Sequence, residues 1–173
     1  MHRSRNLITP GLLLLLASPV CLPEEKPSNE PHHFFQLDFT VKELEGGKVV
    51  NSRAYSMQIA DKENRVHLIR TVSRIPAEVA SGNWQFIDVG TSFDCNNLKL
   101  EPDGTVSFDL GADISSVPDD QLKLNHPTIR QNRWNSTVNV KLKTRTVVFS
   151  SDDMSSRRNM QVEVTAIPVT QAQ

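Results

Sequence analysis

The chain has 173 residues, of which 38% are hydrophobic, with 19 basic and 20 acidic side chains and a formal net charge of −1. This length fits one domain, and this hydrophobic fraction is sufficient for one core when it is well patterned. A nucleic-acid-binding protein is expected to show a clustered basic excess, and the balanced charge therefore argues against nucleic acid as a partner.

The N-terminus has the pattern of a targeting segment. Arg3 and Arg5 precede an apolar run from residue 7 to residue 20. A bilayer span needs roughly 20 apolar residues, so this run is too short for a transmembrane helix. It predicts a secretory signal peptide at residues 1–21 and hence an exported protein.

Two processing routes fit the end of this segment. Ordinary cleavage would use the small residues around Ala17, whereas lipidation would make Cys21 the acylated first residue of the mature protein. Val20 is a poor fit to the small residue expected before a lipidated cysteine, which favours ordinary cleavage. We expect membrane anchoring only if Cys21 is lipidated. The proline-rich, charged residues 22–32 predict a disordered leader, and residues 169–173 a disordered tail.

The chain contains two cysteines, Cys21 and Cys95. Because Cys21 lies in the signal segment, Cys95 is left without an intrachain disulfide partner. Its place on the apolar side of a strand predicts a small buried hydrophobe rather than a reactive thiol.

Alternation of apolar and polar residues predicts strands, since successive side chains in a strand point to opposite faces. The predicted strands are residues 33–44, 48–59, 65–75, 84–100, 105–114, 129–142, 145–150 and 160–167. Pro76 interrupts the third, so residues 76–82 are expected to form a loop or a single helical turn. Gly90 predicts a bulge or bend within the fourth.

About eight strands separated by turn signals, with no amphipathic helical stripe, predict an all-β domain over residues 33–168. The expected architecture is a mostly antiparallel β-sandwich or open barrel. Its predicted core consists of Phe35, Leu37, Phe39, Ile87, Val89, Phe93, Val106, Phe108, Leu110, Ile114, Val138, Val140, Val148, Val162 and Val164.

Several short segments follow one another in a recognisable order. Asp88-Val89-Gly90 is followed by a hairpin over residues 102–110, then by residues 127–140, and finally by Thr146-Val147-Val148. This order resembles the β-domain of bacterial secretins, the outer-membrane ring proteins of type II and type III secretion and pilus systems. The resemblance covers residues 65–153 and implies the sheet topology and a place in the periplasm or cell envelope of a Gram-negative bacterium. A lipoprotein and a secreted protein are the alternatives for localisation.

The chain departs from the secretin pattern in three places. Ser150 and Ser151 stand where secretins usually carry paired glycines, and Lys143-Thr144 replaces an Asp-Gly-type turn. Secretins also carry several small periplasmic domains before the β-domain, whereas only the predicted hairpin at residues 35–59 precedes it here. We therefore do not expect ring or pore formation to follow from the resemblance.

No catalytic or metal-binding spacing is evident in the sequence. The histidines have no H-x-x-x-H spacing, and neither a C-x-x-C pair nor a G-x-S-x-G elbow occurs. Asp152-Asp153 could bind a cation, but a solvated turn is the simpler interpretation. Trp84 and Trp134 could line a carbohydrate or peptide groove, although aromatic residues at sheet edges more often cover a core. We predict no enzymatic activity and no cofactor.

The sequence therefore predicts an exported envelope protein whose secretin-like β-domain is a structural or protein-interaction module. Its partner would be another protein, or a second copy, bound through open sheet edges. One alternative is a subunit of an outer-membrane secretin-type channel. The other is a hydrolase with dispersed catalytic residues, which a hydrogen bond from His67 or His126 to a serine or aspartate in a deep pocket would favour.

Overall fold

The computed structural model describes residues 33–118, 121, 124–153 and 157–169. In these ranges the chain forms strands and no α-helix, which confirms the predicted all-β class. The predicted signal peptide with Cys21, the predicted leader and residues 170–173 lie outside the described residues. The strands are β1 (Phe34–Glu45), β2 (Lys48–Ala60), β3 (His67–Ala80), β4 (Asn83–Leu100), β5 (Thr105–Ser116), β6 (Arg130–Lys141), β7 (Thr146–Asp152) and β8 (Arg158–Val169).

The strands form two antiparallel sheets of four. Sheet I has the order β2-β1-β8-β7 and sheet II the order β3-β4-β5-β6. In sheet I, β8 pairs with β1 from Phe34 opposite Val169 to Glu45 opposite Arg158. A parallel bridge between Leu142 and Ala166 connects the end of β6 to sheet I. Of the two predicted architectures, the antiparallel sandwich is the one observed.

The core lies between the facing sheets. The ring of Phe39 in sheet I stacks on the ring of Phe93 in sheet II, with centroids 4.5 Å apart, and Tyr55 meets Phe93 edge-on at 5.7 Å. Most predicted core positions are confirmed as buried: Phe35, Leu37, Phe39, Phe93, Val106, Phe108, Leu110, Ile114, Val138, Val140, Val162 and Val164. Val148 is half-buried and packs against this cluster. Alternation along each strand thus directs one face of each sheet into a shared interior.

Two predicted core residues lie outside this interior. Ile87 and Val89 are only half-buried. β4 pairs with β5 from Thr91 onward, whereas its earlier residues pair with β3. The first half of β4 therefore forms a two-stranded extension with β3. Apolar residues of this half that point to the inner side of the sheet are not buried in the core.

The predicted break at Pro76 is wrong. β3 continues through Pro76 to Ala80, with Pro76 opposite Phe86 in an unbroken register. β3 is an outer strand of sheet II, and an outer strand tolerates a residue without an N–H on its free side. Neither the loop nor the helical turn predicted for residues 76–82 forms, apart from the tight turn at Ser81-Gly82.

The irregularity predicted at Gly90 is a backbone conformation and not a register shift. Gly90 has a φ of 156°, while its pairing with β3 is continuous. A Cβ there would lie 2.1 Å from the carbonyl oxygen of Thr71, so no other residue fits without a backbone movement. The register shift in β4 lies between Asn96 and Lys99, where Asn97 has a φ of 54°.

Candidate functional site

The β3 edge of sheet II is the most open part of the sandwich. All side chains from Arg70 to Arg74 are exposed, so neither face of β3 is covered there. An edge strand carries backbone N–H and C=O groups that can pair with another chain. This segment combines an open edge with two accessible faces.

The β3–β4 hairpin extends beyond the sandwich and is fixed at its tip by Glu78. The backbone N–H of Glu78 donates to the carbonyl oxygen of Asn125, in the connection between β5 and β6, at 2.8 Å. The Glu78 carboxylate accepts hydrogen bonds from Asn125 Nδ2 at 3.2 Å and from the Gly82 N–H at 2.8 Å. The outermost part of the β3 edge is therefore occupied, whereas the part before Pro76 is open.

Exposed apolar side chains line one face of the hairpin. Trp84 and Phe86 are 51% and 68% exposed, and Val72 is also largely accessible. The register places Phe86 opposite Pro76 and Trp84 opposite Glu78, so these side chains share the outer face of the extension. A partner laid along β3 could cover them.

Beyond the hairpin, the outer face of sheet II carries the hydrogen-bonded carboxylates of Asp109 and Asp113 on β5. Asp113 accepts hydrogen bonds from Arg133 Nε at 2.9 Å and from Gln131 Nε2 at 2.8 Å. Partial burial raises the pKa of Asp113, but these hydrogen bonds and the positive charges of Arg133 and Arg70 outweigh it and hold the pKa below its usual range. The side-chain hydrogen bonds from Thr137 and Asn97 likewise lower the pKa of Asp109. These hydrogen bonds and positive charges stabilise the ionised forms of Asp109 and Asp113 on the solvent-facing side of the sheet.

A shallow hollow of about 440 Å³ lies in this face between β3 and β6. Its lining includes Arg70, Asp94 and Arg133, with both charge signs represented. Ser92 Oγ, which also lines it, is buried without a hydrogen-bond partner. No histidine or cysteine lines the hollow.

The residues considered for chemistry do not come together. His67 Nε2 lies 2.9 Å from Glu63 Oε2 and within reach of Arg65, and His126 is exposed in the connection between β5 and β6. Among the residues that the structure describes, neither histidine is hydrogen-bonded to a serine or an aspartate. Across the described ranges no cluster of three or more metal-ligating side chains occurs.

The other residues singled out from the sequence make contacts within the fold. Asp153 Oδ2 pairs with Arg130 Nη1 at 3.0 Å, and Asp152 accepts a hydrogen bond from Asn159 Nδ2 at 3.0 Å. Trp134 stacks on Phe149 with centroids 3.9 Å apart and covers the core. Cys95 is fully buried, and burial raises the pKa of its thiol to about 12, in agreement with the predicted buried hydrophobe.

Sequence reasoning named Trp84 as a possible groove residue but favoured a core-covering role, whereas Trp84 is 51% exposed, and Phe86 was not considered. Trp84 and Phe86 have the parity of Asp88, which belongs to the wet face of β4. Large aromatic side chains on a wet face are typical of an interaction surface. The alternation analysis followed the other face of this strand, which carries Ile87, Val89, Phe93 and Cys95.

No protein-family model matches the chain, and no curated protein sequence matches it. Its fold is similar to solved secretin structures. The type II secretin GspD of enteropathogenic Escherichia coli superposes with a TM-score of 0.54 at 9% identity, over 82% of this chain and 71% of that chain. InvG, the secretin of the Salmonella SPI-1 type III secretion injectisome, superposes with a TM-score of 0.50 at 8% identity, over 82% and 65%.

These superpositions confirm the predicted secretin-like fold. At identities this low they establish the arrangement of strands and no finer property. The chain spans only part of the length of each secretin. Among the residues that the structure describes there is no helix with the length and apolarity that a membrane crossing requires.

Proposed function

We propose that this chain is an exported cell-envelope protein whose secretin-like β-domain is a non-catalytic structural or protein-interaction module. The observation that carries the proposal is the β3–β4 hairpin, which offers an open strand edge beside the exposed Trp84 and Phe86. Open edges and exposed aromatic side chains are features of surfaces that bind other chains. The partner is another protein or a second copy of this chain.

The outer faces of the sheets favour this function over that of a channel subunit. The outer face of β1 carries Gln36, Asp38, Thr40 and Lys42, and β5 and β6 present further charged and amide side chains. A lipid-facing wall of strands needs an outward apolar band about 25 Å tall. The outer faces of β1, β5 and β6 are therefore polar and suited to water or to a protein partner, whereas the outer face of the β3–β4 hairpin carries exposed apolar side chains.

Mass spectrometry of the mature N-terminus tests export. A first residue between Ser18 and Pro23 without added mass would support an exported, unanchored protein. A first residue at Cys21 with lipid mass would support export with membrane anchoring. An intact Met1 would contradict both.

Size-exclusion chromatography with light scattering, without detergent, tests the module against the channel. A monomer or small oligomer supports the interaction module. A large ring that requires detergent would instead support a secretin-type channel. Origin in a Gram-negative envelope is tested by fractionating the producing cells.

A further inference from the structure

We propose that the segment of β3 from Leu68 to Arg74 is the docking edge, and that it binds an extended segment of another protein carrying acidic side chains. This inference rests on the proposed interaction module and specifies its partner. It joins three observations: which backbone groups of β3 face outward, where the open edge ends, and which charges flank it.

The direction of the β3 backbone follows from two hydrogen bonds. The Glu78 N–H is bonded to Asn125 and so faces away from β4. Gly90, which lies opposite Val72, directs its own N–H to Ser115 Oγ at 3.0 Å, toward β5 and away from β3. In an antiparallel ladder such a pair leaves the N–H and C=O of both residues turned away from each other. Leu68, Arg70, Val72 and Arg74 share the parity of Glu78 and therefore present their backbone groups outward.

The open edge has a defined end. Pro76 has no N–H, and the next outward residue, Glu78, is already bonded to Asn125. The free segment thus runs from Leu68 to Arg74, with Val72 near its centre. A partner strand of about seven residues could satisfy it before meeting the β5–β6 connection, because hydrogen-bonded pairs recur at every second residue of both strands.

Charge on the edge selects the partner. Arg70 and Arg74 lie on the same outer face of β3. Arg74 is paired with Asp88 at 3.0 Å, whereas Arg70 is exposed and makes no ion pair with the described residues. Opposite charges directly across two strands stabilise the pair and like charges destabilise it. An acidic side chain on the added strand is therefore favoured opposite Arg70.

The same charges disfavour one pairing of β3 with a second copy, the antiparallel register centred on Val72. An antiparallel β3–β3 pairing centred on Val72 would place each Arg70 opposite the Arg74 of the other copy. That arrangement puts two arginine pairs in direct opposition, which is unfavourable. A separate acidic segment avoids this repulsion.

The test uses the mature protein and two fluorescent decapeptides of alternating valine and threonine, one with two glutamates and one with two lysines. We expect the glutamate peptide to bind about fivefold to tenfold more tightly, from cross-strand charge pairing. Arg70→Glu should reverse that order. Lys141→Glu, the same charge change on the outer face of β6, should leave it unchanged.

A backbone variant tests the edge itself. Val72→Pro removes the central outward N–H and should abolish binding of both peptides, while continued protection of the Cys95 thiol shows that the protein is folded. Hydrogen exchange should show peptide-dependent protection confined to residues 68–74. Equal binding of the two peptides, or a reversal produced equally by Lys141→Glu, would overturn the proposal.

The outcomes separate this inference from the proposed function. Protection at β2, β6 or β7 with β3 unchanged would overturn the β3 edge and leave the interaction module supported. Protection of β3 that depends only on protein concentration would identify a second copy as the occupant and reject the acidic partner. A detergent-requiring ring would reject the module.

Discussion

Gly90 of β4 lies directly against the backbone of β3, opposite Val72. A Cβ at this position would meet the backbone of Thr71 and Val72 at 2.1 and 2.8 Å. We expect Gly90→Ala to lower the free energy of unfolding by about 2–4 kcal/mol, because the contact is with backbone that cannot move alone. Urea denaturation measures this change.

Gly111 provides the matched control for that substitution. Its Cβ would meet Asn135 Oδ1 at 2.7 Å, and this amide is an exposed side chain that can rotate away. Gly111→Ala should therefore change the free energy of unfolding by less than about 1 kcal/mol. Equal losses in the two variants would show that the close approach at Gly90 is not what requires glycine there.

Asp61, directly after β2, connects to His33, directly before β1. Its carboxylate accepts hydrogen bonds from the His33 N–H at 2.8 Å and lies 2.9 Å from His33 Nδ1. Burial raises the pKa of Asp61, but the hydrogen bonds and charge of His33, with the charge of Lys62, outweigh burial and leave the pKa below its usual range.

A depressed pKa in the folded state makes stability depend on the ionised form. The contribution of Asp61 is complete above the pKa of the unfolded chain, near 3.8, and is lost as the pH falls through the lower folded value. We expect Asp61→Asn to cost roughly 1–3 kcal/mol at pH 7 and to flatten the acid limb of the stability curve. Thermal melts from pH 2 to 7 measure both. Asp94→Asn, at an exposed carboxylate, is the control, and an identical acid limb in the two variants would contradict the prediction.

Apolar–polar alternation correctly predicted the burial of residues whose position within their own strand turns them toward the core. Cys95 and Phe93 are buried because they lie on the inward side of the part of β4 that pairs with β5. Asp61 behaves differently. The sequence places Asp61 in a polar turn, yet it is only 2% exposed in the structure. Its hydrogen-bond partner is His33, which lies 28 positions earlier in the chain. A local pattern cannot contain such a contact.

At the scale of elements, the β3–β4 hairpin separates core from extension within one strand. Phe93 lies in the sandwich and is fully buried, whereas Phe86, seven positions earlier on β4, is largely exposed. We expect Phe93→Ala to cost about 3–5 kcal/mol and Phe86→Ser less than about 0.5 kcal/mol. Chemical denaturation compares them. A large loss for Phe86→Ser would mean that the hairpin face is packed in the native protein.

The extent of β3 was not predictable from its residues. Pro76 signals a break, and in a central strand it would be one. The strand continues because β3 lies at the edge of sheet II, and edge position depends on the order of strands in the sheet. Ile87 and Val89 were misassigned because β4 pairs with β5 only from Thr91 onward, so these two residues lie in the two-stranded extension.

Across the whole molecule, Cys95 reports on global unfolding. The thiol is buried between the sheets, and its pKa is raised to about 12, so at pH 8 it is protonated and inaccessible. We expect no alkylation of the Cys95 peptide in the native protein and complete alkylation in urea, as peptide mapping by mass spectrometry would show. Rapid native labelling at pH 8 would contradict the packing of β4.

The pairing of β8 with β1 has a consequence for the order in which the chain can fold. Each strand of sheet II pairs with its neighbour in sequence, so this sheet can assemble progressively during synthesis from the N-terminus. Sheet I cannot assemble in this way, because β1 pairs with β8. Residues 34–45 can complete their pairing only after residues 158–169 have been synthesised. Until then one edge of β1 is unpaired, and a ribosome-bound or truncated chain would expose it to aggregation.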